Sequence, residues 1–474
     1  MKPVSRWSSP AFDTSDTKYR VQGIGCRGKA KALRLPQTLH SIPYTLGGYM
    51  QVLVIGSGGR EHALTWKIAQ SPKVTKIWAA PGNAGMSDVA ECVQIDTSDI
   101  RLLADFADRN RIDLTVVGPE LPLTLGIVDE FERRGLRIFG PRKDAALVEG
   151  SKVFAKSFMK KHHIPTGFFQ SFYRADDAKR YIQEIGTPLV VKADGLAAGK
   201  GVIVCFELSE AIDAVEKIME KRLFGNAGER IVIEEYLEGE EVSFHALTDG
   251  DAVLPLASSQ DHKRAFDDDR GPNTGGMGAY SPAPVITESI HRQVMEQVMI
   301  PAVAGMAEEG RPYKGVLYAG PMIGAGGVKV LEFNARLGDP EAQPLLLRMQ
   351  SDLVPLLEAV VDGRLRDQTI DWKSDASVCV VMTSKGYPGS YDTGAPITGL
   401  TEAAAQPGVM IFHAGTSRTN DHIVTGGGRV LGITGLGQNI QEAIATAYRA
   451  VKKINWEGAH YRTDIGVRAL TKDR

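Results

Sequence analysis

Cysteine is scarce in this chain of 474 residues, and the four present (Cys26, Cys92, Cys205 and Cys379) lie far apart with no CxxC pair. That spacing excludes a disulfide framework or a zinc knuckle and fits a reducing compartment. Surplus charge is also missing: 55 basic against 57 acidic side chains leave a formal net charge of -2. A nucleic-acid surface needs an excess of Lys and Arg to neutralise phosphates, so no nucleic-acid partner is expected. Small anionic substrates stay open, because they require only a local positive pocket. No run of about 18 apolar residues occurs, so nothing here should span a membrane. Internal repeats and low-complexity tracts are lacking too. A soluble, cytoplasmic enzyme is the expectation.

Residues 1–49 stand apart, since only Asp13 and Asp16 oppose their Lys and Arg, and they show no periodicity. An organellar transit peptide is one reading. A disordered tail, or upstream sequence read from a misplaced start, is preferred, because Met50 directly precedes the first good strand.

From Gln51 onward short apolar strands alternate with helical patterns. VLVIG (52–56), KIWA (76–79), DLTVVG (113–118) and RIFG (137–140) are separated by helices, including one at 100–109 and one running through Phe131. This order predicts a parallel sheet covered on both faces. A second unit, 151–237, adds PLVVKA, a Gly-rich loop, a long helix over 209–222 and IVIEEY. GVLYAG (315–320) and VKVLEF (328–333) lie in the stretch 241–372, and 373–474 forms a last unit with SVCVVM and a helix at 438–453.

Five stretches carry chemistry. GSGGREHA, Gly56 to Ala63, sits where a strand becomes a helix, with glycines and a helix N-terminus suited to an anion. Glu61 stands where a dinucleotide fingerprint needs glycine, which disfavours NAD. A tight turn with an exposed Arg60 is the structural alternative. PGNAG (81–85) follows the next strand and is expected to line the same cleft. VVKADGLAAGKGV, Val190 to Val202, encloses three residues between Gly195 and Gly199, and Gly201 follows Lys200. Both features break the Walker pattern. A Gly/Ala loop between strands can still cover a triphosphate, with Lys192 beside it, although a mobile hairpin would look similar. VIEEYLEGEEVS (232–243) reads as a link between lobes, or simply as a solvated strand end. In KVLEFNARLGDPE, Lys329 to Glu341, Glu332 and Asn334 share one strand face and offer hard oxygens to Mg²⁺. Arg336 continues that face if the strand persists, ready for a substrate carboxylate. The polar, Gly-rich stretch 259–284 reads as a long functional loop and not as a core element.

Taken in order, GSGGREHA, PGNAG, VVGPE, EGSK, VVKADGLAAGKG, VIEEYLEGEE, QDHKR, GPNTGGMGAYSPAP, EFNARLGDPE and KGYPG resemble the phosphoribosylamine–glycine ligase family of the ATP-grasp superfamily. The resemblance covers Met50 to about Gly466. It implies an α/β multidomain protein: an N-terminal Rossmann-like parallel sheet (50–150), a two-lobed ATP-grasp module (151–372, mobile lobe about 171–240) and a C-terminal α+β domain (373–474). It implies a ligase of purine biosynthesis that joins glycine to phosphoribosylamine with ATP through a glycyl phosphate, acting as a monomer. Lys152 and Lys192 would contact ATP phosphates, with Gly195, Gly199 and Gly201 in the lid above them. Glu234, Glu235, Tyr236, Leu237 and Glu241 would surround adenine and ribose. Glu332 and Asn334 would hold Mg²⁺ or Mn²⁺, and the strand GVLYAG offers no further acid. Gly58, Gly59, Arg60 and Glu61 would hold the ribosyl phosphate. Asp261, Asn273 and Arg336 would touch substrate, with Lys192, Arg336 and Asp261 the catalytic set. Rivals are another grasp enzyme, such as a biotin-dependent carboxylase component, and a non-catalytic nucleotide sensor.

Overall fold

The structure is a computed structural model that describes residues 18–20, 22–23, 50–196 and 201–470. Most of the N-terminal extension, for which disorder or targeting was expected, lies outside these residues.

The first unit is a five-stranded, all-parallel sheet in the order Glu91–Cys92, Val74–Pro81, Met50–Gly56, Leu114–Val117, Ile138–Phe139. Its central strand is apolar without alternation, and Val52, Leu53, Val54 and Ile55 are each 0% exposed. That pattern belongs to a strand covered on both faces, as the sequence predicts. The helix expected to run through Phe131 is two helices, Glu120–Leu125 and Ile127–Arg133, because Gly126 between them has φ +96°.

The next unit has two lobes. The smaller is a four-stranded antiparallel sheet, Val202–Cys205, Leu189–Ala193, Ile231–Glu235, Phe169–Phe172. Helices Ala175–Ile185 and Leu208–Val215 pack on it, and their apolar residues form a separate core around Ile182, Val191 and Val215. The long helix expected over 209–222 stops at Val215 and continues as a π turn, Glu216–Glu220. A lobe with its own core can move as one body. The larger lobe is built on Phe244–Asp249, Lys314–Gly324 and Gly327–Asn334, paired antiparallel.

A third sheet departs from the sequence reading. Its order is Gln260–Asp261, Gly278–Ser281, Ala376–Thr383, Arg429–Gly437, Val409–His413. Two of its strands therefore come from the polar stretch 259–284, and Gly278–Ser281 is buried throughout. Main-chain pairing to Ala376–Thr383 satisfies its amides, so a Gly-Ala-Tyr-Ser segment becomes core without hydrophobic patterning. Between those strands, Arg264–Phe266 and Arg270–Asn273 form a hairpin. Two short strands of the extension also pair with the rest of the chain: Lys18–Arg20 forms a two-stranded sheet with Thr369–Asp371, and Gln22–Gly23 joins a sheet edge at Val253 and Ala252. Periodicity does not announce them, because an open sheet edge accepts any extended backbone. Among the described residues no helix is long and apolar enough to cross a membrane.

Candidate active site

The three units and the smaller lobe enclose a cavity of about 1150 Å³. Helix Lys152–Lys161 begins at its wall, capped by Ser151, whose hydroxyl accepts from Phe154 N–H. Lys152 Nζ donates to Gly195 O at 3.1 Å, tying this helix to the entrance of the Gly/Ala loop. Gly195 and Gly201 line the cavity, whereas Gly199 lies outside the described residues. Lys192 is buried on its strand, its Nζ 2.9 Å from Glu234 Oε2 and 3.2 Å from Leu331 O. Glu234 belongs to the adjacent strand, and Glu235, Tyr236 and Leu237 follow it along the wall. The Glu235 carboxylate turns aside to Lys329 Nζ at 2.6 Å.

Glu332 and Asn334 open onto the same cavity, as their shared strand face predicts. Burial raises the Glu332 pKa, but Lys263, Lys192 and Lys152 outweigh it and hold the carboxyl down to about 2. An ionised carboxylate and an amide oxygen are the hard donors that a small divalent cation takes from a protein. The pair thus fits the cation a grasp enzyme uses. Glu241 lies on a short strand across Lys314–Gly324 from that of Glu332, bound by Lys263 Nζ, which is also 3.6 Å from Glu332 Oε1. Gly320 of the acid-free strand lies beside this carboxylate, a Cβ there coming 3.4 Å from Glu241 Oε1.

The opposite end corrects several expectations. The strand stops at Asn334, so Arg336 reaches the cavity through the turn that follows and not along the strand face. Its Nη2 is 2.9 Å from Glu149 Oε1 and its Nε 3.3 Å from Glu120 Oε2. Its Nη2 also donates to Asn334 Oδ1 at 3.3 Å. Burial raises the Glu120 pKa, but Arg336 and Arg60 prevail and bring it to about 2. Arg60 and Gly58 line the cavity, while Gly59 does not: its missing Cβ leaves room for Gln343 Nε2, which would lie 2.4 Å from one. Glu61 also lines the cavity, and both of its carboxylate oxygens are engaged within the chain. Oε2 accepts from Gly58 N–H at 2.7 Å and Oε1 from Arg60 Nε at 2.5 Å. PGNAG does not line the cavity. Asn83 Nδ2 instead donates to Ser57 O and His413 O, both at 2.8 Å, and joins the first unit to the last.

Asp261 and Asn273 line the cavity at the two ends of the hairpin stretch. Burial, with Glu341 and Glu241 nearby and Lys263 and Arg468 opposing, pushes the Asp261 carboxyl up to about 8. The stretch is fastened by the chain's C-terminal part, where Arg462 Nη1 pairs with Asp269 at 2.8 Å and His460 Nε2 lies 3.0 Å from Ala265 O. Residue patterns did not single out Glu120, Glu149 or Arg429, the first two from the first unit and the third from the last. Lys156, in contrast, stands four residues after Lys152, a spacing that puts both on one helix face.

Family models for phosphoribosylglycinamide synthetase match the chain in three consecutive parts: the N domain at 50–149, the ATP-grasp (A) domain at 150–342 and the C domain at 377–468. The chain belongs to this family. Phosphoribosylamine–glycine ligase of Pseudomonas syringae pv. tomato is 54% identical over 428 residues, covering 90% of this chain and 99% of that protein. The enzyme of that name from Allochromatium vinosum is 55% identical, covering 90% and 100%. A crystal structure of phosphoribosylamine–glycine ligase from Thermotoga maritima matches with TM-score 0.77 at 33% identity, over 88% of this chain and 100% of that one. Biotin carboxylase of Campylobacter jejuni shares the fold alone, with TM-score 0.68 at 16% identity over 89% and 94%. As a member of the phosphoribosylglycinamide synthetase family, the chain is an ATP-grasp carbon–nitrogen ligase that uses ATP and a divalent cation.

Proposed function

We propose that this ligase joins glycine to 5-phosphoribosylamine, through glycyl phosphate, to give glycinamide ribonucleotide, ADP and phosphate in purine biosynthesis. The observation that carries the reading is that Glu332 and Asn334 share one cavity with Lys152 and Lys192. A cation site beside two phosphate-binding ammonium groups is what transfer of a terminal phosphoryl group requires.

Adenine lies against Glu234, Glu235, Tyr236 and Leu237, and Glu241 faces the ribose. Lys152 and Lys192 hold the phosphates beneath the lid that Gly195 and Gly201 flank. Glu332 and Asn334 would hold Mg²⁺ or Mn²⁺, which would supply positive charge to the triphosphate oxygens. Gly58 and Arg60, at the start of helix Gly59–Ile68, face the ribosyl phosphate. Arg336, Asp261 and Asn273 face glycine. One glycine carboxylate oxygen attacks the γ-phosphorus, the bond to the bridging oxygen breaks, and ADP leaves with the electron pair. The sugar amine then attacks the acyl carbon, phosphate departs, and the nitrogen releases a proton. Glycyl phosphate reacts with water, so a closing smaller lobe has a chemical purpose.

Glycine labelled with ¹⁸O in its carboxylate tests the intermediate. One labelled oxygen should appear in the released phosphate, and unlabelled phosphate would exclude an acyl phosphate. ADP release that follows bicarbonate or formate instead of glycine would overturn the substrate assignment.

A further inference from the structure

Lys156 faces the cavity from the same helix side as Lys152, yet its ammonium is fully used. It is 2% exposed, with Nζ 2.8 Å from Glu234 Oε2, 2.8 Å from Thr166 Oγ1 and 3.5 Å from Val330 O. An ammonium has three N–H donors, so none remains for a ligand. Glu234 is 3% exposed, and its Oε2 also takes Lys192 at 2.9 Å. Its other oxygen, Oε1, is buried and has no hydrogen-bond partner among the described residues, in a side chain that lines the cavity. A desolvated carboxylate oxygen without a donor is costly, and a ligand N–H removes that cost.

We propose that Lys156 is a positioning residue: it fixes Glu234 so that Oε1 receives the exocyclic amino group of the nucleotide base, and the pair thereby selects a 6-amino over a 6-oxo purine. This rests on the proposed placement of the base beside residues 234–237. The amino group donates to Oε1. A 6-oxo group sets lone pairs against the carboxylate. Lys192 alone leaves the carboxylate free to turn, because it holds one oxygen from one side.

The test compares ATP with inosine triphosphate on the wild type, Lys156→Met, Lys156→Arg and Glu234→Gln, by calorimetric binding without glycine and by steady-state kinetics. Hydrogen bonds to charged groups are worth ~1.5–3 kcal/mol, which sets the scale at about 10–100-fold. Wild type should prefer ATP. Lys156→Met should weaken ATP by that factor in Kd and KM with kcat little changed, leave the inosine nucleotide nearly unaffected, and recover partly in Lys156→Arg. Glu234→Gln should also lose the preference. Equal weakening of both nucleotides with the ratio preserved would overturn the proposal. If Lys156→Met shows no cooperative melt, the ratio for Glu234→Gln decides. The binding arm needs no turnover, so absence of glycine-dependent ADP release would count against the function and not against the Lys156 role.

Discussion

Replacing Glu61 by glutamine keeps the side chain's size and one acceptor, and removes its charge and its second acceptor. The Gly58 N–H bond at 2.7 Å survives, so the helix cap is retained. Arg60 loses its partner at 2.5 Å, and its own side chain is 7% exposed. What remains for it is Leu337 O at 3.2 Å and Glu120 at 4.0 Å. Breaking one partner from a buried pair costs ~3–5 kcal/mol, and the residual contacts favour the lower end. About 3 kcal/mol corresponds to a fall of ~6–12 °C in Tm for a cooperative unit of 150–250 residues. Differential scanning calorimetry of the E61Q variant measures it, with KM for phosphoribosylamine recorded in parallel. An unchanged Tm with a raised KM would refute the reasoning, since the carboxylate would then act on ligand and not on Arg60.

Glu332→Ala should lower turnover at least ~100-fold, the scale for removing one preorganised charged group, while Tm holds. Mn²⁺ titration followed by electron paramagnetic resonance should show weaker binding, and wild-type affinity would exclude the metal assignment. Acid should weaken the junction between the first and last units. His413 N–H donates to His62 Nδ1 at 2.8 Å. Burial lowers the two imidazoles to about 3 for His62, with His413 adding to it, and about 4 for His413, which also faces Asp88 and Arg418. Their folded pKa values lie below the ordinary 6.5, so the unfolded chain binds more protons once pH drops. Their contribution is complete above that pH and is lost below it, at a slope approaching ~1.4 kcal/mol per pH unit for each histidine. Stability curves between neutral pH and the low-acid range should be flatter for His62→Gln, and identical slopes would sink the assignment.

Local patterns carried much of this molecule. The apolar run Val52–Ile55, the helix 100–109 and the alternate positions Glu332 and Asn334 follow from chain periodicity alone, since a strand or helix fixes side-chain direction within a few residues. The order of motifs carried the family. Tertiary structure decided the rest. It ended the strand at Asn334 and gave Arg336 two carboxylates from elements about 190 and 220 residues away. Pairing to a distant strand turned Gly278–Ser281 into core. The Glu61 side chain closed a helix and held an arginine. Each of these outcomes depends on a partner remote in the chain, and charge pairing and main-chain hydrogen bonding act through distance in space, which sequence spacing does not encode.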